Sequence, residues 1–340
     1  MSLRIGIVGA GANTRSRHIP GFQQIDGVEV TAVCNRTRAS GQKAADEFGI
    51  AHVFEDWREL VTADEVDAVC VGTWPYLHCD ISIATLEAGK HILTEARMAM
   101  DLSQARHMQV AAQASDRVSM IVPAPFYLES EPTLLEMVAN DTFGDLLEIH
   151  VSALSGGWDP SVPLHWRQRR ELSGQNIMSM GILNETVRRY AGHDRALIAQ
   201  AHTFTTRRPN PEGGTGDVDV PDSLGIVSQL ESGATAVYHI SSVAEHGRGG
   251  GFEVHGTKGA FKLEGGQAHV ALAGEDDFRV LDVAPDKAWG WTVEADFVDA
   301  IRDGKPVTHT NFSDGVKYMA FTEAVQVSIA EGRRVELASL

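Results

Sequence analysis

The chain opens Leu3-Arg4-Ile5-Gly6-Ile7-Val8-Gly9-Ala10-Gly11-Ala12-Asn13-Thr14. An apolar, β-branched run breaks into two glycines and continues in helix-compatible residues. That is how a buried strand delivers an anionic group to a helix N-terminus. Gly9 and Gly11 take the first two places of the G-x-G-x-x-G pattern. The first glycine permits the tight turn, and the second lets the backbone approach a pyrophosphate. Thr14 stands at the third place, where close helix–strand packing usually takes a smaller residue. Glycine turns after strands are common. This one begins the chain, and a second strand follows at the right distance, which together point to a dinucleotide site. Gly9, Gly11, Ala12 and Asn13 are expected to line it.

Outward from this turn, short apolar strands alternate with amphipathic helices. The strands are Arg4–Val8, Val28–Cys34, Ala68–Gly72, His91–Leu93 and Ser119–Val122. Helices are read at Ala39–Phe48, Leu77–Ala88 and Ser103–Ser115, with Gly89 capping the second. The alternation predicts an α/β domain, a Rossmann doubly wound parallel sheet over residues 1–123. The pattern changes near Pro123-Ala124-Pro125. A helix at Pro132–Ala139 is followed by runs at Leu146–Leu154, Leu224–Leu230, Ala234–Ile240, Phe252–His255 and Ala260–Leu263. Turn residues join the last four in pairs, as in hairpins. Pro209–Pro221 reads as a long exposed loop, and helices at Thr292–Arg302 and Ser313–Glu331 end the chain. Residues 124–340 are thus expected to form an α+β domain with an open antiparallel sheet.

The end of the second strand bears on which dinucleotide binds. An NAD site usually places Asp or Glu there for the ribose hydroxyls. This chain reads Val33-Cys34-Asn35-Arg36-Thr37-Arg38, with no carboxylate to repel a 2′-phosphate. Arg36 and Arg38 either grip such a phosphate or are solvated residues opening the next helix. NADP is favoured, with NAD as second choice, and Asn35 and Arg36 are assigned to the cofactor.

Size and composition bound the rest. At 340 residues, 43% hydrophobic and 22% charged, two ordinary globular domains are expected. The 46 acidic residues against 29 basic give a net charge of −17, which argues against nucleic acid or an anionic membrane as partner. No apolar run approaches the about 20 residues of a membrane span. With a strand starting at Arg4, no signal peptide is expected. Cys34, Cys70 and Cys79 form no CxxC pair, and their odd number argues against a disulfide framework, so a reducing cytoplasm is expected. His52, His107, His193, His202 and His269 show no metal-ligand spacing, and no metal site is expected. His150 and His239 sit on strand patterns as sheet-face residues.

Three ordered motifs carry a family resemblance: the glycine loop, Thr73-Trp74-Pro75-Tyr76-Leu77-His78, and Gly89-Lys90-His91-Ile92-Leu93-Thr94-Glu95. Together they resemble the Gfo/Idh/MocA group, which includes glucose–fructose oxidoreductase and inositol dehydrogenase. The resemblance implies a nucleotide domain followed by a sheet domain that often builds the subunit interface. It also implies oxidation or reduction of a sugar, polyol, cyclitol or related carbonyl compound with a nicotinamide cofactor. A homodimer or dimer of dimers, with a small sugar-like substrate, is expected on the same ground. Thr73, Pro75 and His78 match a T-x-P-x-x-H turn lining the cofactor cleft, with Trp74 beside them. Glu95 matches the glutamate of the E-K-P signature.

The resemblance then departs at the residues that handle protons. Its lysine is replaced by Ala96 and its proline by Arg97. Its G-G-G-x-x-x-D-x-G-x-H helix aligns best with Ser173-Gly174-Gln175-Asn176-Ile177-Met178-Ser179-Met180-Gly181-Ile182-Leu183. Ser179 then takes the aspartate place and Leu183 the histidine place, four residues apart on one helix face. Arg97 stays protonated, so it polarises a carbonyl or binds a carboxylate, or is an outward-facing arginine. His165, in Leu164-His165-Trp166-Arg167-Gln168, is the leading replacement acid/base. Glu185 is a second candidate and Tyr127 a third. Trp166 packs on a sugar ring or fills core. Arg167, Asn176 and Ser179, with Asn184 near them, are expected to bind or orient the substrate. Three readings follow: an oxidoreductase with altered proton handling, a nucleotide-binding sensor or assembly subunit without turnover, and a glycosidase-like relative that oxidises its substrate only transiently.

Overall fold

The structure, a computed structural model, describes residues 2–125, 129–247, 249–307 and 309–340. Backbone contacts divide it into two compact units, Met1–Pro123 with Thr292–Met319, and Ala124–Trp291 with Ala320–Leu340. The segment Thr292–Met319 therefore belongs with the first unit, whereas the sequence placed it in the second. Its apolar positions say only that it packs, not on which half.

In the first unit, strands β1 (Leu3–Val8), β2 (Val28–Cys34), β3 (His52–Phe54), β4 (Ala68–Val71), β5 (His91–Thr94) and β6 (Ser119–Ile121) form one parallel sheet. Their order is β3-β2-β1-β4-β5-β6, the dinucleotide-binding arrangement, and it reverses between β1 and β4. Ile5, Ile7, Ala68, Val69, Cys70 and Val71 are fully buried, because both faces of such a sheet are covered by helices. The helices are α1 (Ile19–Gln23), α2 (Arg38–Phe48), α3 (Trp57–Thr62), α4 (His78–Glu87) and α5 (Leu102–Gln113). A π-helical stretch, Thr14–His18, leads into α1. Thr37, Asp56 and Asp101 cap α2, α3 and α5 by accepting a first-turn backbone N–H.

The second unit holds α6 (Glu131–Ala139), β7 (Leu146–Leu154), the short α7 (Arg170–Ser173) and α8 (Met180–Ala191). Then come β8 (Asp194–His202), β9 (Arg207–Pro209), β10 (Thr215–Asp217), β11 (Ser223–Leu230), β12 (Thr235–Ser241), β13 (Gly249–Gly256), β14 (Gly259–Glu264), β15 (Gln267–Leu272) and β16 (Arg279–Val280). Helix α9 (Val293–Asp303) returns to the first unit. Helix α10 (Phe312–Glu331) begins in the first unit and ends in the second, before β17 (Val335–Glu336). Nine strands make one sheet in the order β16-β15-β14-β13-β7-β12-β11-β8-β17. Its pairs are antiparallel except β7 with β12, which run parallel, so the sheet is mixed. Val151, Ile226, Tyr238, Val254 and Phe261 fill its covered face.

Two local expectations change. Pro209–Pro221 is not all exposed loop: β9 and β10 pair within it, and Val218 and Val220 are buried. The segment from Ser173 to Leu183 is not one helix. Gly174 and Met178 both have positive φ, 66° and 47°, and α8 starts only at Met180. No helix among the described residues is long and apolar enough to cross a membrane.

Candidate active site

The first unit gathers its candidate residues at the carboxyl ends of β1, β2, β4 and β5, beside the reversal of strand order where open α/β sheets bind ligands. Gly9 has φ of +91°, and a Cβ there would meet the Thr73 backbone nitrogen at 2.7 Å. Gly11 is exposed, and a Cβ there would approach only the Gly72 carbonyl, at 3.5 Å. Gly11 thus stays open, ahead of the first-turn amides of Ala12 and Asn13, the kind of helix start that receives anions. Thr14 is buried, and its hydroxyl donates to the Gly9 carbonyl at 3.1 Å. The glycine missing at 14 reappears across the cleft. A Cβ on Gly72 would lie 2.0 Å from Thr14 Oγ1 and 2.4 Å from the Gly9 oxygen. This cradle fits a dinucleotide.

Asn35 ties β2 to the loop. Its Oδ1 accepts the Ala10 N–H at 2.7 Å and its Nδ2 donates to the Ser40 carbonyl at 3.0 Å. Arg36 is exposed, with its guanidinium 5.6 Å from the centre of the Trp74 ring, a cation–π contact. Arg38 instead pairs with Glu55 at 2.8 Å on the surface. Pro75 is buried at the start of a short 3₁₀ turn leading into α4. His78 is fully enclosed: its Nε2 lies 3.0 Å from the Thr73 carbonyl and its Nδ1 2.9 Å from the Arg97 carbonyl. Burial lowers its pKa, although two carbonyl partners favour the cation. His78 therefore braces the ends of β4 and β5 rather than facing a ligand.

Glu95 accepts from Asn13 Nδ2 and lies 3.1 Å from His18 Nε2. Burial favours its protonated form, yet the contacts from His18 and Asn13 hold its carboxyl below the ordinary range. Ala96 is half-buried, and Arg97 is only 6% exposed, which corrects the outward-facing alternative. His18 and Glu294 were missed by the sequence, and so was the part played by Gly72. Each acts through a partner remote in the chain.

The second-unit candidates divide. Ser179 and Leu183 border a cavity of about 500 Å³ whose other walls include Ala153, Thr186, Gly250 and Phe252. Its lining is apolar apart from hydroxyl and backbone groups. His165 is exposed and caps a 3₁₀ turn, its Nδ1 accepting the Arg167 N–H at 3.3 Å. Partial burial and the neighbouring Arg167 cation push its pKa down, so the ring is neutral near pH 7. With Nδ1 an acceptor, the ring proton sits on Nε2, which donates. Arg167 lies 4.3 Å over the Trp166 ring. His165, Trp166, Arg167 and Asn176 are not among the residues bordering the cavity.

Asn176 and Asn184 are buried, Asn176 donating to the Ser173 carbonyl at 2.6 Å and Asn184 to Asp194 at 2.6 Å. Both brace the fold rather than await a hydroxyl. Glu185 is 3% exposed and accepts from Arg189 at 2.6 Å and from the Ala124 N–H at 3.2 Å. Arg189 also reaches Glu131 at 2.8 Å. This buried ion triad gives Glu185 a structural task in place of the expected catalytic one. Tyr127 lies outside the described residues.

The model of an oxidoreductase family with an NAD-binding Rossmann fold matches residues 3–122, and that of the GFO/IDH/MocA C-terminal domain matches residues 133–262. Levoglucosan dehydrogenase of Pseudarthrobacter phenanthrenivorans is 26% identical over 87% of this chain and 86% of its own. The 1,5-anhydro-D-fructose reductase of Ensifer adhaerens is 27% identical over 98% of each. A solved levoglucosan dehydrogenase in complex with NADH shares the fold, with a TM-score of 0.90 over 99% of both chains at 23% identity. An aldose-aldose oxidoreductase from Caulobacter crescentus, complexed with glycerol, gives 0.83 at 21% identity over 99% of this chain and all of its own. With both halves matched in order, the chain belongs to the GFO/IDH/MocA family of NAD(P)-dependent oxidoreductases.

Proposed function

We propose that this protein transfers a hydride between a nicotinamide cofactor and a CH–OH or carbonyl group of a sugar, polyol or cyclitol, with proton handling unlike its relatives'. The glycine cradle at the reversal of strand order carries the reading, because Gly9, Gly72 and Thr14 interlock there and leave the loop open above Gly11. Two relatives named for anhydro-sugar substrates, levoglucosan and 1,5-anhydro-D-fructose, support the substrate class. Gly9, Gly11, Ala12 and Asn13 would hold the pyrophosphate. Thr73, Trp74 and Pro75 would line the cofactor cleft, with Glu95 and His78 behind them. When bound, the cofactor supplies the hydride chemistry.

NADP is the proposed partner. Strand β2 ends in Asn35 instead of a carboxylate, its amide bonded to Ala10 and Ser40, and Arg36, resting on Trp74, would receive the 2′-phosphate. For the proton, Arg97 is the proposed carbonyl-polarising cation, and His165 would act as the acid on reduction only as the imidazolium, giving up its Nε2 proton to the alkoxide oxygen and returning to the neutral ring that prevails near pH 7. Ser179, with Trp166 and Arg167, would orient the substrate. The exposed sheet face of the second unit would build a homodimer or dimer of dimers. Three buried free thiols, Cys34, Cys70 and Cys79, suit a reducing cytoplasm. Ala96 and Leu183 favour one other reading, a nucleotide-binding sensor or assembly subunit without turnover.

Titration of tryptophan fluorescence with NADPH and with NADH tests the cofactor. NADPH is expected to bind tighter, and Arg36→Ala to weaken it about tenfold, the worth of one charge-assisted contact, while leaving NADH alone. Equal affinities unaffected by the substitution would make NAD the partner. Absorbance at the nicotinamide band across polyols and keto-sugars then separates turnover from sensing.

A further inference from the structure

His18 belongs to no motif read from the sequence, yet it is completely buried between two carboxylates. Its Nδ1 lies 2.5 Å from Glu294 Oε1, and its Nε2 lies 3.1 Å from Glu95 Oε1. Asn13 donates to that same Glu95 oxygen, so the chain Glu294–His18–Glu95–Asn13 runs from the interior of the first unit to the glycine loop. Helix α1 makes way for it: a Cβ on Gly21 would come within 2.8 Å of Glu294 Oε2. A neutral imidazole has one N–H for two carboxylates and turns a lone pair toward the other. The imidazolium donates to both and leaves the cluster with one net negative charge instead of two. A dinucleotide pyrophosphate at the first turn, where Asn13 stands, would add more negative charge close by.

We propose that His18 is a positioning residue for the dinucleotide: its imidazolium pins Glu95 against Asn13 at the glycine loop and offsets the charge of Glu95 and Glu294 there. This rests on the dinucleotide reading of the cleft. Glu294, Glu95 and Asn13 face the ring directly. Cys70 and His78 stand near Glu95, the thiol held protonated and the imidazole neutral by burial. Burial works against the His18 cation, but the two carboxylates prevail and raise its pKa from 6.5 to about 9. Below that value the clamp is closed, and as the pH rises through it the clamp opens.

The test is a fluorescence titration of NADPH and NADH from about pH 7 to about pH 10, on the wild type, His18→Gln and Glu294→Gln. The cofactor-free thermal midpoint is measured beside it. Wild-type affinity is expected to hold at neutral pH and fall about tenfold with a midpoint near pH 9, the scale of one charge beside an anion. His18→Gln should bind about tenfold more weakly at pH 7, with no step as pH rises. Glu294→Gln removes one of the two carboxylates that raise the pKa, so it should move the midpoint down. A step of the same size in His18→Gln, a flat wild-type profile, or an unmoved midpoint in Glu294→Gln would each overturn the inference. Wild type that binds neither dinucleotide at any pH overturns the cofactor reading, and this proposal with it.

Discussion

An alanine methyl at position 72 would lie 2.0 Å from the Thr14 hydroxyl and 2.4 Å from the Gly9 oxygen. Gly72→Ala is therefore expected to cost about 1–3 kcal/mol and to open the loop, weakening dinucleotide binding more than tenfold. Thr14→Gly, which restores the customary third glycine, should leave binding within about threefold. Placed on Gly72→Ala, it should not rescue, because the Gly9 oxygen still blocks the methyl. Thermal melts and cofactor titration of the three variants check this, and full rescue would show that the Thr14 contact alone sets the requirement. The need for glycine at 72 was invisible in the sequence, since it arises from residues 58 and 63 positions away that meet only once β1 and β4 pair. His18 hides for the same reason, its second carboxylate coming 276 residues later. The turn at Gly9 and Gly11 was legible because strand, turn and helix there are contiguous.

Among the elements, α8 gives the clearest trial. Its Glu185 is bound to Arg189 one turn on, and Arg189 reaches Glu131 at the start of α6. Breaking one arm of a buried pair costs about 3 kcal/mol or more, so Glu185→Gln should lower the melting temperature by several degrees. Any loss of turnover should follow that loss of folded protein. A variant that melts like the wild type but turns over a hundredfold more slowly would return Glu185 to the chemistry. Elements whose apolar spacing is regular were legible to within a residue or two: β1, β2, α2, β7 and α9. Strand β3 and helix α3 escaped because three and six residues carry too little periodicity. Strand β8, rich in alanine rather than β-branched residues, gave no strand signal.

At the scale of the whole molecule, the exposed face of the nine-stranded sheet carries the trial. Ile198, Val227 and Val237 stand in register on β8, β11 and β12, exposed by 48%, 47% and 39%. An apolar strip on a chain of net charge −17 is where copies would meet, because elsewhere they repel. Val227→Asp is expected to reduce the proposed dimer to a monomer in light scattering with the fold intact. An unchanged mass would place the interface elsewhere. Two domains were legible from the switch between strand–helix alternation and hairpins, but the return of Thr292–Met319 was not.

That return has a consequence for how the protein is made. Ile121, on the outermost strand of the first sheet, donates its N–H to the carbonyl of Thr310, Met98 donates to the Tyr318 hydroxyl, and Arg302 closes over the carbonyls of Asp26 and Gly27. A ribosome that has released residue 123 has delivered all six strands of the dinucleotide sheet, but none of the segment that seals its edge. About half the chain must still be translated before Glu294 can reach His18. The half synthesised first is completed late, and during elongation its sheet edge stands unsealed.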